Sequence, residues 1–137
     1  MPKKLFSILF LTMLCFFFFS FQNKKDFNLK ESINRGKDIY LSYCLSCHLE
    51  QGEGIESLYP PIANSDYLMK DKKRSIHEIL YGLDGEIKVN GISYNIAMSG
   101  FDFNDQQTSD VLNYIRNSFG NKGEAVTPDK VKSLRKK

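Results

Sequence analysis

Hydrophobic positions along this chain fall into two regimes. From Leu5 to Phe21, "LFSILFLTMLCFFFFSF", they are continuous apart from Ser7, Thr12 and Ser20. Beyond "QNKKDFN" they become sparse and periodic. Over residues 29–46, "LKESINRGKDIYLSYCLS", Ile33, Ile39, Tyr40 and Tyr43 give a loose stripe at helical spacing. Asn28 precedes the stripe as an N-cap, with Glu31 three residues on as its reciprocal partner. Gly36 falls inside this predicted helix, where glycine costs about 1 kcal/mol relative to alanine. A glycine there suggests that another backbone or helix packs close.

Residues 49–66, "LEQGEGIESLYPPIANSD", carry two glycines and a Pro-Pro pair and are predicted as loop. A short helix follows over Arg74–Tyr81, with Gly82 as its stop. "GEIKVNGISY" alternates and contains Asn-Gly, which predicts a short hairpin. The clearest helix spans residues 105–119, "DQQTSDVLNYIRNSF". Asn104 and Gln107 form a capping box, Val111, Leu112, Ile115 and Phe119 share a face, and Gly120 ends it. Thr-Pro in "TPDKVKSLRKK" opens a short terminal helix. With no internal repeat and little strand, the expected class is all-α, built as one domain around one core.

Charge and composition change this picture only at the ends. A basic "MPKK", an apolar run and a sharp polar turn have the layout of a secretory signal. The run of about 17 residues is at the lower edge of what spans a bilayer. Phe18 and Phe19 before Ser20 make a poor cleavage site. Residues 1–22 are thus expected to be a signal peptide or an N-terminal membrane anchor. Met13 and Leu14 argue against lipid attachment at Cys15. All three readings export residues 23–137, in a bacterium to the periplasm. Without Lys3 and Lys4, 17 basic residues face 16 acidic ones. Five of the basic ones lie in the last eight residues, "KVKSLRKK", and are read as a solvated tail of about 14 residues that includes the short helix. No basic stripe suggests nucleic-acid binding.

The chemistry is concentrated in "YCLSCH". Residues three and four apart share a helix face, so Cys44, Cys47 and His48 can point the same way. Two thiols so placed can add across the two vinyl groups of a porphyrin, and the adjacent imidazole then reaches the iron. This spacing is that of a c-type haem attachment site. A zinc site from Cys44, Cys47, His48 and His77 lacks the usual second paired module. A thiol-exchange motif would follow a strand, not a helix. A disulfide closing two residues would stabilise little. For a second iron ligand the candidates are Met98, His77 and Met69. Met98 leads, because "GISYNIAMSGF" is an apolar loop between two glycines.

Taken together, "GKDIYLSYCLSCH", "YPPIANSDYL", "VNGISYNIAMSGF" and "VLNYIRNSFGN" resemble a small monohaem class I cytochrome c, from residue 30 to about 135. The resemblance implies the cytochrome c fold, three to five helices around a covalently attached haem. It implies one haem c bound through Cys44 and Cys47, with iron held by His48 and the distal Met98. Gly36, Tyr40 and the last-helix Tyr114 match residues that pack where the first and last helices cross. A carbonyl of Pro60 or Pro61 would orient His48. Ile62, Leu68, Leu80, Ile96, Phe101 and Phe103 are candidates for the pocket. The implied function is one-electron transfer, not enzymatic turnover, with redox partner proteins of a respiratory chain. A haem c subunit of a larger periplasmic oxidoreductase, or a gas sensor with an open iron position, are the alternatives.

Overall fold

The structure, a computed structural model, describes residues 26–136. The apolar leader and its role as signal or anchor lie outside the described residues. Within them, no helix is long and apolar enough to cross a membrane.

Helix α1 spans Leu29–Tyr43 and α2 spans Leu45–His48. Helix α3 covers Asp66–Lys70 and α4 covers Lys72–Tyr81. Four short strands follow: β1 (Gly82–Leu83), β2 (Ile87–Val89), β3 (Ile92–Tyr94) and β4 (Met98–Ser99). Helices α5 (Asp105–Ile115) and α6 (Pro128–Leu134) complete the chain. Helix dominates, as the expected class requires. The described residues form six helical segments rather than three to five. One reason is that the helix predicted over 29–46 breaks at Cys44. The other is α3, hidden in sequence by its brevity and started by a Ser65 cap.

Caps explain where the elements begin. The Asn28 side chain accepts from the Glu31 amide at 3.2 Å. Asp71 accepts from the Lys73 and Arg74 amides, which starts α4 two residues earlier than its apolar pattern suggests. The predicted capping box of α5 is complete: Gln107 N donates to Asn104 Oδ1 at 2.8 Å, and Asn104 N to Gln107 Oε1 at 3.0 Å. Helix α5 stops at Ile115, not Phe119. The Asn121 amide takes the Ile115 carbonyl at 2.8 Å, and Phe119 turns back at φ 56°. Its ring then packs 5.2 Å from Tyr40 and 5.4 Å from Tyr114, centroid to centroid.

Helices α1 and α5 cross at Gly36. A Cβ there would lie 1.9 Å from the Asp110 carbonyl oxygen and 2.8 Å from Tyr114 Cβ. Buried polar groups fasten the crossing. Asp110 accepts from Ser32 Oγ at 2.5 Å and from two nitrogens of Arg35 at 2.7 and 2.9 Å. The Asn113 side chain exchanges two hydrogen bonds with the Val126 backbone, at 2.7 and 2.8 Å, and donates a third to Ser32 Oγ. Tyr40, Ile76, Val111, Leu112, Val126 and Val131 are completely buried around this frame.

The predicted hairpin forms, with register Ile87↔Tyr94 and Val89↔Ile92. Asn90 and Gly91 make its turn at φ 50° and 85°, the mirror-image geometry that Asn-Gly favours. A second small ladder, β1 with β4, was not legible in the sequence. The terminal helix also forms, capped by Thr127 with proline in its first turn. The tail is only partly the solvated end expected of it. Lys132 and Lys136 are exposed, but Val131 is core. Arg135 pairs with Asp105 at 2.8 Å and donates to the Phe103 carbonyl.

Gly36→Ala is expected to cost at least about 3 kcal/mol in urea unfolding, because a backbone carbonyl cannot move aside as a side chain does. Lys37→Ala, on the exposed surface of the same helix, should stay within about 0.5 kcal/mol.

Candidate functional site

The end of α1, the loop over 49–65, the hairpin and β4 surround an apolar cleft. It encloses about 880 Å³ free of atoms, part of it open to solvent. Cys44, Cys47, His48 and Met98 all line it. The helical course continues through the break at Cys44. Cys44 N donates to Tyr40 O at 2.9 Å, and His48 N donates to Cys44 O at 2.9 Å. Two thiols and one imidazole are thereby turned into the same space. No disulfide joins Cys44 to Cys47.

His48 is held through one of its two ring nitrogens. Its Nδ1–H donates to the Pro60 carbonyl at 3.0 Å, which singles out Pro60 over Pro61. That bond fixes the tautomer and leaves Nε2 as the nitrogen able to hold a metal. Burial lowers the imidazole pKa, against an opposing effect of the Pro60 carbonyl. The lowering favours the neutral ring, the form able to hold a metal. The loop that brings Pro60 round is tight. Gly54 N donates to His48 O at 3.0 Å, and a Cβ on Gly54 would lie 2.4 Å from the Tyr59 oxygen and 2.8 Å from that of Pro60.

Of the three candidates for the opposite ligand, Met98 alone lines the cleft. It sits in β4, paired with Leu83 of β1. His77 is exposed and its ring lies 4.8 Å from that of Tyr81. Met69 is half-buried in α3 and does not line the cleft. The four-residue zinc set is not assembled. Among the described residues no three His, Cys, Asp or Glu side chains are grouped to hold an ion.

The apolar lining agrees in part with the residues expected of it. Ile62, Leu68 and Phe101 line the cleft. Leu80 and Phe103 lie in the core instead, and Ile96 does not line the cleft. Sequence reasoning missed Ile79, Leu83, Ile87, Val89, Leu112 and Ile115. The alternation of Ile87 and Val89 was the available signal. It also missed a polar group on the cleft wall. Tyr67 donates its hydroxyl to Glu78 Oε1 at 2.6 Å. The Arg74 guanidinium lies 3.5 Å from the Tyr67 ring centroid and 3.6 Å from Glu78 Oε1. Burial raises the Tyr67 hydroxyl to about 12. It also raises the Glu78 carboxyl above its ordinary range, against the lowering effect of Tyr67 and Arg74.

A greasy cleft offering two thiols and a preset imidazole suits a flat, apolar, metal-bearing ring that is held covalently. These features define a carrier of attached haem. The chain belongs to the cytochrome c family, whose pattern matches residues 33–119. It is 38% identical over 112 residues to cytochrome c-552 of Thermus thermophilus, covering 74% of this chain and 85% of that one. The cytochrome c subunit of gluconate 2-dehydrogenase from Pantoea cypripedii is 38% identical over 108 residues, 74% of this chain and 24% of that one. The cytochrome c subunit of quinone alcohol dehydrogenase from Gluconobacter oxydans is 29% identical over 106 residues, 74% of this chain and 22% of that one. The protein is thus a small class I c-type cytochrome and an electron carrier. Its cofactor is haem c, joined through Cys44 and Cys47.

Two expectations follow from this site. In acid-denatured protein, haem should remain on the wild-type chain and on either single Cys→Ala variant. It should be extracted completely from Cys44→Ala/Cys47→Ala. The second concerns pH. Folded Glu78 holds its proton more tightly than unfolded Glu78, so its contribution to stability is full below the unfolded value of 4.5. That contribution is lost as pH rises through the folded value. Glu78→Gln should therefore be more favourable relative to wild type at neutral pH than in acid, as read by urea unfolding of the holoprotein at both pH values.

Proposed function

We propose that residues 23–137 carry single electrons between exported redox partners, with His48 and Met98 as the axial ligands of the haem iron. The observation that carries this reading is that Met98 lines the cleft shared by Cys44, Cys47 and His48, whereas Met69 and His77 do not. When bound, the haem supplies a one-electron couple at its iron. The protein's residues set how that couple behaves. Pro60 holds His48 by Nδ1, so Nε2 keeps its aim in both oxidation states. Ile62, Leu68, Ile79, Val89, Leu112 and Ile115 give the cleft low polarity. Low polarity disfavours the extra positive charge of ferric iron, and thioether ligation acts in the same direction, so both raise the potential. Tyr43 lines the cleft while remaining 54% exposed, which marks an edge where a small, transient encounter can take place.

Residues 1–22 are the export signal or anchor in this proposal, and the periplasm is where the chain works. A respiratory redox protein is the expected partner. A second reading keeps the same chemistry inside a larger assembly. It is favoured by relatives that are named as cytochrome c subunits of dehydrogenases, in which case the partner is the catalytic subunit.

The test is an optical and electrochemical comparison of wild type with Met98→Ala. The wild-type ferric protein should show the weak long-wavelength band of an iron–methionine bond, and the variant should lack it. The variant's potential should fall by on the order of 100 mV or more, within the ~0.8 V range that axial ligands command. Its ferrous form should bind carbon monoxide, which the wild type should resist. A wild type without the band that binds carbon monoxide readily would replace electron transfer with open-site, gas-binding chemistry.

A further inference from the structure

The two glycines that bracket the Met98 ladder differ from the other glycines nearby. Residues 98–101 lie along the C-terminal end of α4 and are tied there at several points. Ser99 pairs with Gly82 and Met98 with Leu83. Phe101 N donates to Ile79 O at 2.9 Å. Side chains play little part in these ties, so the two backbones must approach closely. A Cβ on Gly82 would lie 2.5 Å from Met98 O and 2.9 Å from Gly100 N. A Cβ on Gly100 would lie 2.7 Å from Leu80 O, 2.7 Å from the Tyr81 carbonyl carbon and 2.8 Å from Gly82 N. Every one of these neighbours is backbone, and backbone cannot rotate away. Gly85 and Gly91 are of another kind. Both have positive φ, +92° and +85°, yet a Cβ on either would meet nothing within 4 Å. They serve turns, whereas Gly82, at φ +86° and ending α4, combines a turn with the contact, and Gly100 serves the contact alone.

We propose that Gly82 and Gly100 are positioning residues that hold Met98 at the haem iron by letting the strand that bears it lock against the end of α4. The inference rests on the Met98 ligand reading. A methyl group at either glycine must push residues 98–100 outward by roughly 1 Å, a displacement that loosens a built site without unfolding it. An external ligand can bind the iron only while Met98 is off it. Its apparent affinity is therefore reduced by the small fraction of molecules with the ladder open. Weakening the lock raises that fraction and tightens the external ligand in proportion.

The experiment uses haem-loaded Gly82→Ala, Gly100→Ala, Gly85→Ala, Met98→Ala and wild-type protein. Imidazole is titrated into each ferric form while the long-wavelength methionine band is followed. The expected result is that Gly82→Ala and Gly100→Ala bind imidazole at least about tenfold more tightly than wild type, with a weakened band. Gly85→Ala, which carries the same left-handed backbone strain without the contact, should match wild type. Gly100→Ala isolates the contact, since its backbone is outside the left-handed region. Loss of the band in Met98→Ala, with both contact variants behaving as wild type, would overturn the inference and leave the ligand reading standing. An equal change in Gly85→Ala would overturn it too, by tracing the effect to backbone strain in general. A band that survives in Met98→Ala would remove the ligand reading and this inference together. If neither contact variant yields folded holoprotein, hydrogen exchange on the wild type decides. Imidazole should strip protection from amides in residues 82–83 and 98–101 and leave the 87–94 hairpin protected. Unchanged protection in 82–83 and 98–101 would refute the lock.

Discussion

The contact between Gly36 and the Asp110 carbonyl fixes everything else. With no side chain between them, α1 and α5 cross at backbone distance. That crossing sets where α1 ends, hence where Cys44, Cys47 and His48 point. It also sets the angle of α5, whose Leu112 and Ile115 form part of the opposite lining. Tyr40, Tyr114 and Phe119 fill the angle beside it with tilted and edge-on rings. The thiols and the imidazole are thus the free end of a rigid joint.

Polar groups give the joint its register. Ser32, Asp110, Ser109 and Asn113 are buried where the helices meet, and each has hydrogen-bond partners there. A buried polar group without a partner costs more than an apolar one. Sliding α1 along α5 would strand several such groups at once. Leu, Ile and Val contacts tolerate such slippage more readily. A second set of polar contacts holds α3. Arg74 donates to the Tyr67 carbonyl and Arg116 to that of Leu68, two carbonyls that a helix of five residues leaves largely unsatisfied. Tyr67 and Leu68 are then presented to the cleft.

What could be read in the sequence was whatever depends on neighbours along the chain. Caps at Asn28, Asn104 and Thr127, the Asn90-Gly91 turn and the Gly82 stop are local events, and each forms. The haem motif is equally local. The helix end at Ile115 was misplaced because Asn121, which caps it, acts from across a turn. The β1–β4 ladder was invisible because two residues per strand leave no period to detect. The Glu78–Tyr67–Arg74 group could not be foreseen, since it joins α3 to α4 through side chains with no shared pattern. The choice between Pro60 and Pro61 depended on the fold of a whole loop. Leu80 and Phe103 were placed at the pocket because hydrophobicity alone does not distinguish lining from core.

The exchange of hydrogen bonds between the Asn113 amide and the Val126 backbone reaches beyond the region the family pattern recognises, which stops at residue 119. Val126 and Val131 lie past that boundary, yet both are fully sealed in the core. The segment that carries the recognisable pattern is therefore shorter than the segment that packs into one core. When such a module is grafted onto another polypeptide, the join must fall after the last helix. A seam at Phe119 would take Val126 and Val131 out of the core and open it to water.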